Sequence, residues 1–146
     1  MFRTSSKGSM IRKVRTSTSF EAEWEYAARA ETTTKYSFGD DESMLGEYAW
    51  YQANSGSKTH DVGQKKSNPW GLYDMHGNAR EWVEDNLHGD YNGAPTDGSS
   101  WEGGSYRVSR GGSWYAETQR SRSATRDFYL PVYRDGEIGF RVLRIS

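Results

Sequence analysis

The chain contains no cysteine. That absence excludes disulfides, thiolate metal sites and thiol catalysis, and it leaves the redox compartment unread. An excess of one charge is also lacking: 19 Lys and Arg stand against 20 Asp and Glu, a formal net charge of −1. No global field therefore recommends nucleic acid or an anionic membrane as a partner. No apolar run approaches the ~18–20 residues that span a bilayer, so membrane insertion is not expected. Met1–Val14 lacks the apolar stretch that a secretory signal requires. Prolines number three, and Leu and Ile are few. Hydrophobic residues make up 34% and mean hydropathy is −0.98, values low enough to suggest disorder at first sight.

What is present argues the other way. Six Trp, ten Tyr and five Phe supply large apolar area, and a disordered chain is poor in such residues. Sixteen glycines fit many tight turns. A length of 146 residues suits one loop-rich domain with a real core. Residues 1–18 form a polar, basic N-terminal segment. It is either disordered or a short first strand built on Met10, Ile11 and Val14. The domain proper is expected over 19–146.

Residues 19–30 are the clearest helix. Phe20, Trp24, Ala27 and Ala28 fall at i, i+4, i+7 and i+8 and make one apolar stripe. Thr18 with Glu21 fits a capping box, with Ser19 as an alternative cap. Tyr48-Ala49-Trp50-Tyr51 reads as an apolar knot in the core. Residues 86–104 read as a surface loop, 106–110 as a strand by alternation, and 140–145 as a closing strand. Trp70, Leu72, Tyr73, Trp82 and Val83 are expected in the core.

Four stretches carry a resemblance. They are Glu21–Arg29, Asn68–Trp82, Arg110-Gly111-Gly112-Ser113-Trp114 and Ile138-Gly139-Phe140-Arg141. Together they resemble the formylglycine-generating-enzyme (sulfatase-modifying factor) branch of the C-type lectin-like fold. The resemblance implies a loop-rich α+β domain whose terminal strands meet, so residues 1–18 could pair with Phe140–Ile145. The usual opening of the family, a strand and a first helix, is missing or collapsed into residues 1–18. A minimal domain or a fragment completed by another chain would both account for that.

The branch holds oxidative enzymes and also the variable proteins of diversity-generating retroelements. The enzymes need two copper-binding cysteines soon after the Gly-Gly-Ser element. Here Ala116 and Ser121 stand at the matching positions, and neither is a soft thiolate ligand. Ser113 lacks a Gly-x-Ser-x-Gly elbow, and no His follows it. His60, His76 and His88 are isolated, so zinc is not expected. No cofactor is required, with one candidate ion. The resemblance implies calcium held by the side chains of Asp74 and Glu81 and the carbonyls of Gly77 and Ala79. Hard cations do favour such oxygen donors. The other reading is a buried polar turn in which both acids cap backbone N–H groups.

Segment 109–138 resembles a diversified variable region. Framework positions such as Arg122, Arg126, Pro131 and Arg134 alternate with slots where family members often carry Asn or Asp. Mutation of template adenines turns an Asn codon into codons for Tyr, Ala, Asp, Phe, Leu, Val, Thr or Gly, and most of the slots hold these residues. Expected ligand contacts are Tyr115, Ala116, Glu117, Arg120, Thr125, Asp127, Phe128, Tyr129, Leu130, Tyr133 and Asp135. Tyrosine offers a large, rigid, amphipathic contact at low entropy cost. The expected function is non-enzymatic binding of a protein or cell-surface ligand, with no role for nucleic acid. The alternative is a formylglycine-generating-enzyme-like oxidoreductase homologue with lost or altered catalysis.

Overall fold

The computed structural model describes the backbone of residues 2–4, 10–12 and 15–145 and the side chains of residues 17–142. Strands β1 (Phe2–Thr4) and β2 (Met10–Arg12) form an antiparallel pair of their own. Strand β3 (Arg15–Thr18) pairs antiparallel with β8 (Val142–Ile145), from Arg15 opposite Ile145 to Thr18 opposite Val142. The expected meeting of the two ends is thus made by residues 15–18, while Met10–Arg12 pair with β1, and Val14 lies outside the described residues.

Helix α1 (Glu21–Arg29) buries Trp24 and Ala28, as the apolar spacing predicts. Its start differs from the expected Thr18–Glu21 box. Phe20 is the N-cap and offers no side-chain acceptor, so the first N–H groups are satisfied otherwise. Glu23 Oε2 accepts from Phe20 N at 2.8 Å, and Asp85 Oδ2 accepts from Glu21 N at 2.6 Å. The helix ends at Ala30 in the left-handed region (φ 47°, ψ 51°), with its N–H donating to Tyr26 O. A 3-10 turn (Glu42–Met44) leads into the short α2 (Leu45–Tyr48).

Strands β4 (Arg80–Asn86), β5 (Arg107–Arg110), β6 (Arg126–Tyr129) and β7 (Ile138–Phe140) form one mixed sheet in the order β6-β5-β4-β7. The β4–β5 and β5–β6 pairs are antiparallel, and β4–β7 is parallel. Directly opposed residues share a face. Glu81, Arg110, Val108, Arg126 and Phe128 therefore face α1, while Arg80, Trp82, Ser109, Asp127, Tyr129 and Phe140 lie on the other side.

The helix side is only partly apolar. Trp24, Ala28, Met75, Val83 and Val108 form one core cluster, and Tyr36, Leu45 and Ala49 form a second. Around the first, ion pairs take the place of missing aliphatic side chains. Glu21 receives Arg110 Nε at 2.9 Å and Arg126 Nε at 2.6 Å. Glu81 receives Trp24 Nε1 at 2.8 Å and Arg141 Nη2 at 2.8 Å.

Several core expectations need correction. Val83 is fully buried and Leu72 partly so, but Trp70 is 42% and Tyr73 44% exposed. Trp70 packs edge-on against exposed Tyr26, outside the core. Trp82 is half-buried on the open face of the sheet, not beneath α1. The closing strand is interrupted at Arg141, whose side chain turns in to Glu81, and Phe140 and Val142 are exposed.

Candidate ligand-binding site

Two glycines allow the chain to pass behind the site. Gly112 adopts φ +64°, and a Cβ there would stand 2.9 Å from Ser121 Oγ and 3.1 Å from the His76 carbonyl oxygen. At Gly77 a Cβ would collide with the Trp50 carbonyl oxygen. His76 lies between these passages, fully buried. Its Nδ1 is 2.8 Å from Ser121 O, an acceptor, so that nitrogen carries the proton. Its Nε2 accepts from Ser37 N at 3.1 Å and from Ser37 Oγ at 3.0 Å. Burial pushes the imidazole pKa down to about 4, so the ring is neutral.

From this anchor the chain runs outward. Trp114 Nε1 donates to Gly136 O at 3.1 Å and its backbone N–H to Asn78 O at 2.9 Å. Ala116 O accepts from Gln52 N at 3.0 Å. A second 3-10 turn (Thr118–Ser121) closes the loop. The result is a pocket of about 420 Å³ whose wall includes five of the expected contacts, Tyr115, Ala116, Glu117, Arg120 and Tyr129. Gln52, Arg80 and Glu137 complete it. Tyr133 stacks on Tyr129, with centroids 4.5 Å apart, and Tyr129 meets Trp82 edge-on at 6.2 Å. Burial raises the Tyr129 pKa, with Asp127 and Glu137 adding to the shift against the pull of Arg80, so the phenol stays protonated.

The expected contacts divide. Tyr115 is 57% exposed, and Glu117 and Arg120 are exposed beside it. Ala116 is only 3% exposed, so it forms the pocket floor and presents little side chain to a ligand. Asp127 is tied down rather than displayed: its carboxylate takes Arg80 Nε at 3.0 Å, and its side chain is 12% exposed. Thr125 Oγ1 donates to Gln119 O. Asp135 shapes the turn before β7, accepting from Glu137 N and from the Tyr133 hydroxyl, each at 3.0 Å. Phe128 falls on the helix side of the sheet, edge-on to Tyr106, and does not reach the pocket. Leu130 is exposed beyond the end of β6. Arg80 and Gln52 were not legible as pocket residues. The parallel β4–β7 pairing that brings Glu137 beside Arg80 has no local signal in the sequence.

The turn expected to hold calcium lines a separate pocket of about 480 Å³, with Asp74, Gly77, Ala79 and Glu81 all in its wall. Asp74 has φ +59°; its Oδ2 accepts from Gly63 N at 2.9 Å, and its Oδ1 is buried without a hydrogen bond. Glu81 fits a cation poorly. Arg141 contacts both of its oxygens, and Trp24 donates to Oε2. The guanidinium already supplies the positive charge there. Among the described residues no group of three or more His, Asp and Glu side chains is placed to hold a metal.

The comparisons with known proteins agree with this architecture. Residues 14–145 match the sulfatase-modifying factor enzyme 1-like domain. The chain belongs to that family. Among solved structures, this sulfatase-modifying-factor domain is similar to Treponema denticola variable protein 1, at 42% identity and a TM-score of 0.82, over 87% of this chain and 46% of that one. It is also similar to PvdO from Pseudomonas aeruginosa, at 42% identity and a TM-score of 0.81, over 89% and 52%. The formylglycine-generating enzyme of Streptomyces coelicolor is 33% identical over 138 residues, 83% of this chain and 44% of that protein. The chain spans between 20% and 44% of the length of the curated relatives it matches. The mixed sheet, few helices and long ordered loops are those of the C-type lectin-like fold, and the resemblance to variable proteins read from the sequence stands.

Proposed function

We propose that this chain is a non-enzymatic ligand-binding protein that displays a diversified C-terminal surface, in the manner of the variable proteins of diversity-generating retroelements. The supporting observation is the convergence of Tyr115, Ala116, Glu117, Arg120 and Tyr129 on one pocket, with Tyr133 stacked at its edge. The frame behind them is held by separate buried contacts at His76 and Arg110. Loops carried by such a frame can change without loss of the fold. Exposed tyrosines beside polar groups suit a protein or cell-surface ligand.

Copper chemistry does not fit these residues. Ala116 carries no ligand atom, and the Ser121 hydroxyl is buried and donates to Glu117 O at 3.2 Å. The second reading, an oxidoreductase homologue with altered catalysis, draws on relatives named formylglycine-generating enzyme. A titration with copper(I) separates the two: no stoichiometric binding is expected, and tight one-to-one binding would favour the enzyme reading. The binding reading itself is tested by two displayed libraries sorted for protease resistance. Randomising 115, 117, 120 and 133 should leave most members folded, because substitutions at exposed positions cost about 0.5 kcal/mol or less. Randomising 110, 113, 121 and 123 should leave few. Equal intolerance of both libraries would count against a changeable surface.

A further inference from the structure

Arg80 stands on β4 at the base of the pocket, its side chain 8% exposed. Nε donates to Asp127 Oδ2 at 3.0 Å, and Nη1 donates to Ser113 Oγ at 3.1 Å and to Glu137 Oε2. Ser113 Oγ in turn donates to Glu137 Oε2 at 2.9 Å. Nη2 makes no hydrogen bond among the described residues. A guanidinium cannot shed its proton, so a buried one needs its charge balanced. Asp127 and Glu137 do this here, and both lie inside the segment 109–138 while Arg80 lies outside it. A cation of the frame is thus balanced by residues of the changeable segment.

We propose that Arg80 is a specificity-determining residue of the pocket: it offers the ligand its Nη2 N–H donors, and residues 127 and 137 set the charge of the acceptor it takes. The proposal rests on the reading of this pocket as the ligand site. With Asp127 and Glu137 present, the guanidinium charge is satisfied internally. The acceptor is then neutral, such as a peptide carbonyl of a protein ligand, because an anion would meet two carboxylates. With neutral residues at both positions the guanidinium is left unbalanced. The pocket then takes an anion, and the exposed Arg120, 3.7 Å from Asp127 Oδ1, adds a second cation at the rim. Two side chains change the ligand class while the donor stays in place.

The test is the double variant Asp127→Asn, Glu137→Gln, which keeps shape and one acceptor oxygen at each position but removes both charges. The probe is inorganic sulfate, titrated against melting temperature at ionic strength held constant with chloride. The expected result is a rise in melting temperature of the double variant that sets in at millimolar sulfate and then follows the logarithm of its concentration, with a response at least about tenfold weaker in the parent. Adding Arg80→Met to the double variant should abolish it. Sulfate also stabilises proteins by exclusion from their surfaces, but that effect is common to all three proteins and is removed by comparing them. A folded double variant that responds as the parent does overturns the proposal, as does a response that survives Arg80→Met. If the double variant does not fold, Asp127→Asn alone carries the test. If that variant also fails to fold, position 127 is a structural obligation and the proposal falls. Sulfate binding needs no knowledge of the ligand. A negative result therefore leaves the diversified-surface reading standing on its own tests.

Discussion

At the scale of single residues, His76 shows how a side chain with no visible role in the sequence becomes an anchor. It has no histidine partner at metal spacing, and the sequence yields only that exclusion. In the structure it ties Ser37 to Ser121 beneath the pocket. Its folded pKa of about 4 lies below the ordinary value of 6.5, so the unfolded chain binds the extra proton first. Stability from this residue is therefore full above pH ~6.5 and is lost as pH falls toward 4, to a total of about 3 kcal/mol. Urea unfolding at pH 7 and pH 4 measures it. His76→Gln should flatten the acid limb, and an unchanged limb would show that other groups carry it. Glu21 makes a second residue-scale prediction. It was read as the acid of a capping box with Thr18, and its partners Arg110 and Arg126 lie 89 and 105 residues away and could not be read. Glu21→Ala takes the carboxylate from Arg126 and leaves Arg110 with Glu25 at 3.4 Å and two backbone carbonyls, and it should cost about 3 kcal/mol in chemical denaturation. A loss under about 1 kcal/mol would show that water replaces the carboxylate without penalty.

At the scale of elements, legibility followed periodicity. Helix α1 was found because Trp24 and Ala28 repeat at helical spacing and are buried. Strand β5 was found by alternation. The central strand β4 was not, because Arg-Glu-Trp-Val-Glu-Asp-Asn looks like a charged turn. Its acids and arginine are buried against distant partners, Arg110 beside Glu81 by register, Arg141 by contact and Asp127 across the sheet. The turn at Asp74–Glu81 was recognised with two readings, calcium or a buried polar turn, and the Arg141 contact to the Glu81 carboxylate favours the second. We therefore expect the melting temperature to be the same in millimolar calcium and in chelator. A clear rise with calcium would assign the ion to Asp74 Oδ1 and nearby carbonyls. Gly77→Ala tests the same element. The Trp50 carbonyl leaves no room for a Cβ, so the variant should lose at least about 3 kcal/mol or fail to fold.

At the scale of the whole molecule, a chain poor in Leu and Ile holds its shape, among the described residues, with two small apolar clusters, stacked rings and buried ion pairs. That arrangement separates the molecule into a frame and a surface. The frame runs through α1, β4, β5 and the His76 turn; the surface is the pocket rim and the turn after β6. The resemblance read from the sequence pointed to 109–138 as the changeable segment. It did not show which side chains of that segment face outward, because Ala116 and Asp127 turn inward while Tyr115 and Glu117 turn out. The most direct test of the account lies in the gene. The codons for residues 109–146 should be aligned with any near-copy in the flanking DNA. The account predicts a repeat that differs only at template adenines, with the changes falling on codons 115, 117, 120, 127, 129, 133 and 137 and sparing those of Arg110, Ser113, Ser121 and Ser123. The absence of a repeat, or differences spread over all four bases and over the buried codons, would contradict it and leave a fixed-partner domain of the sulfatase-modifying factor family.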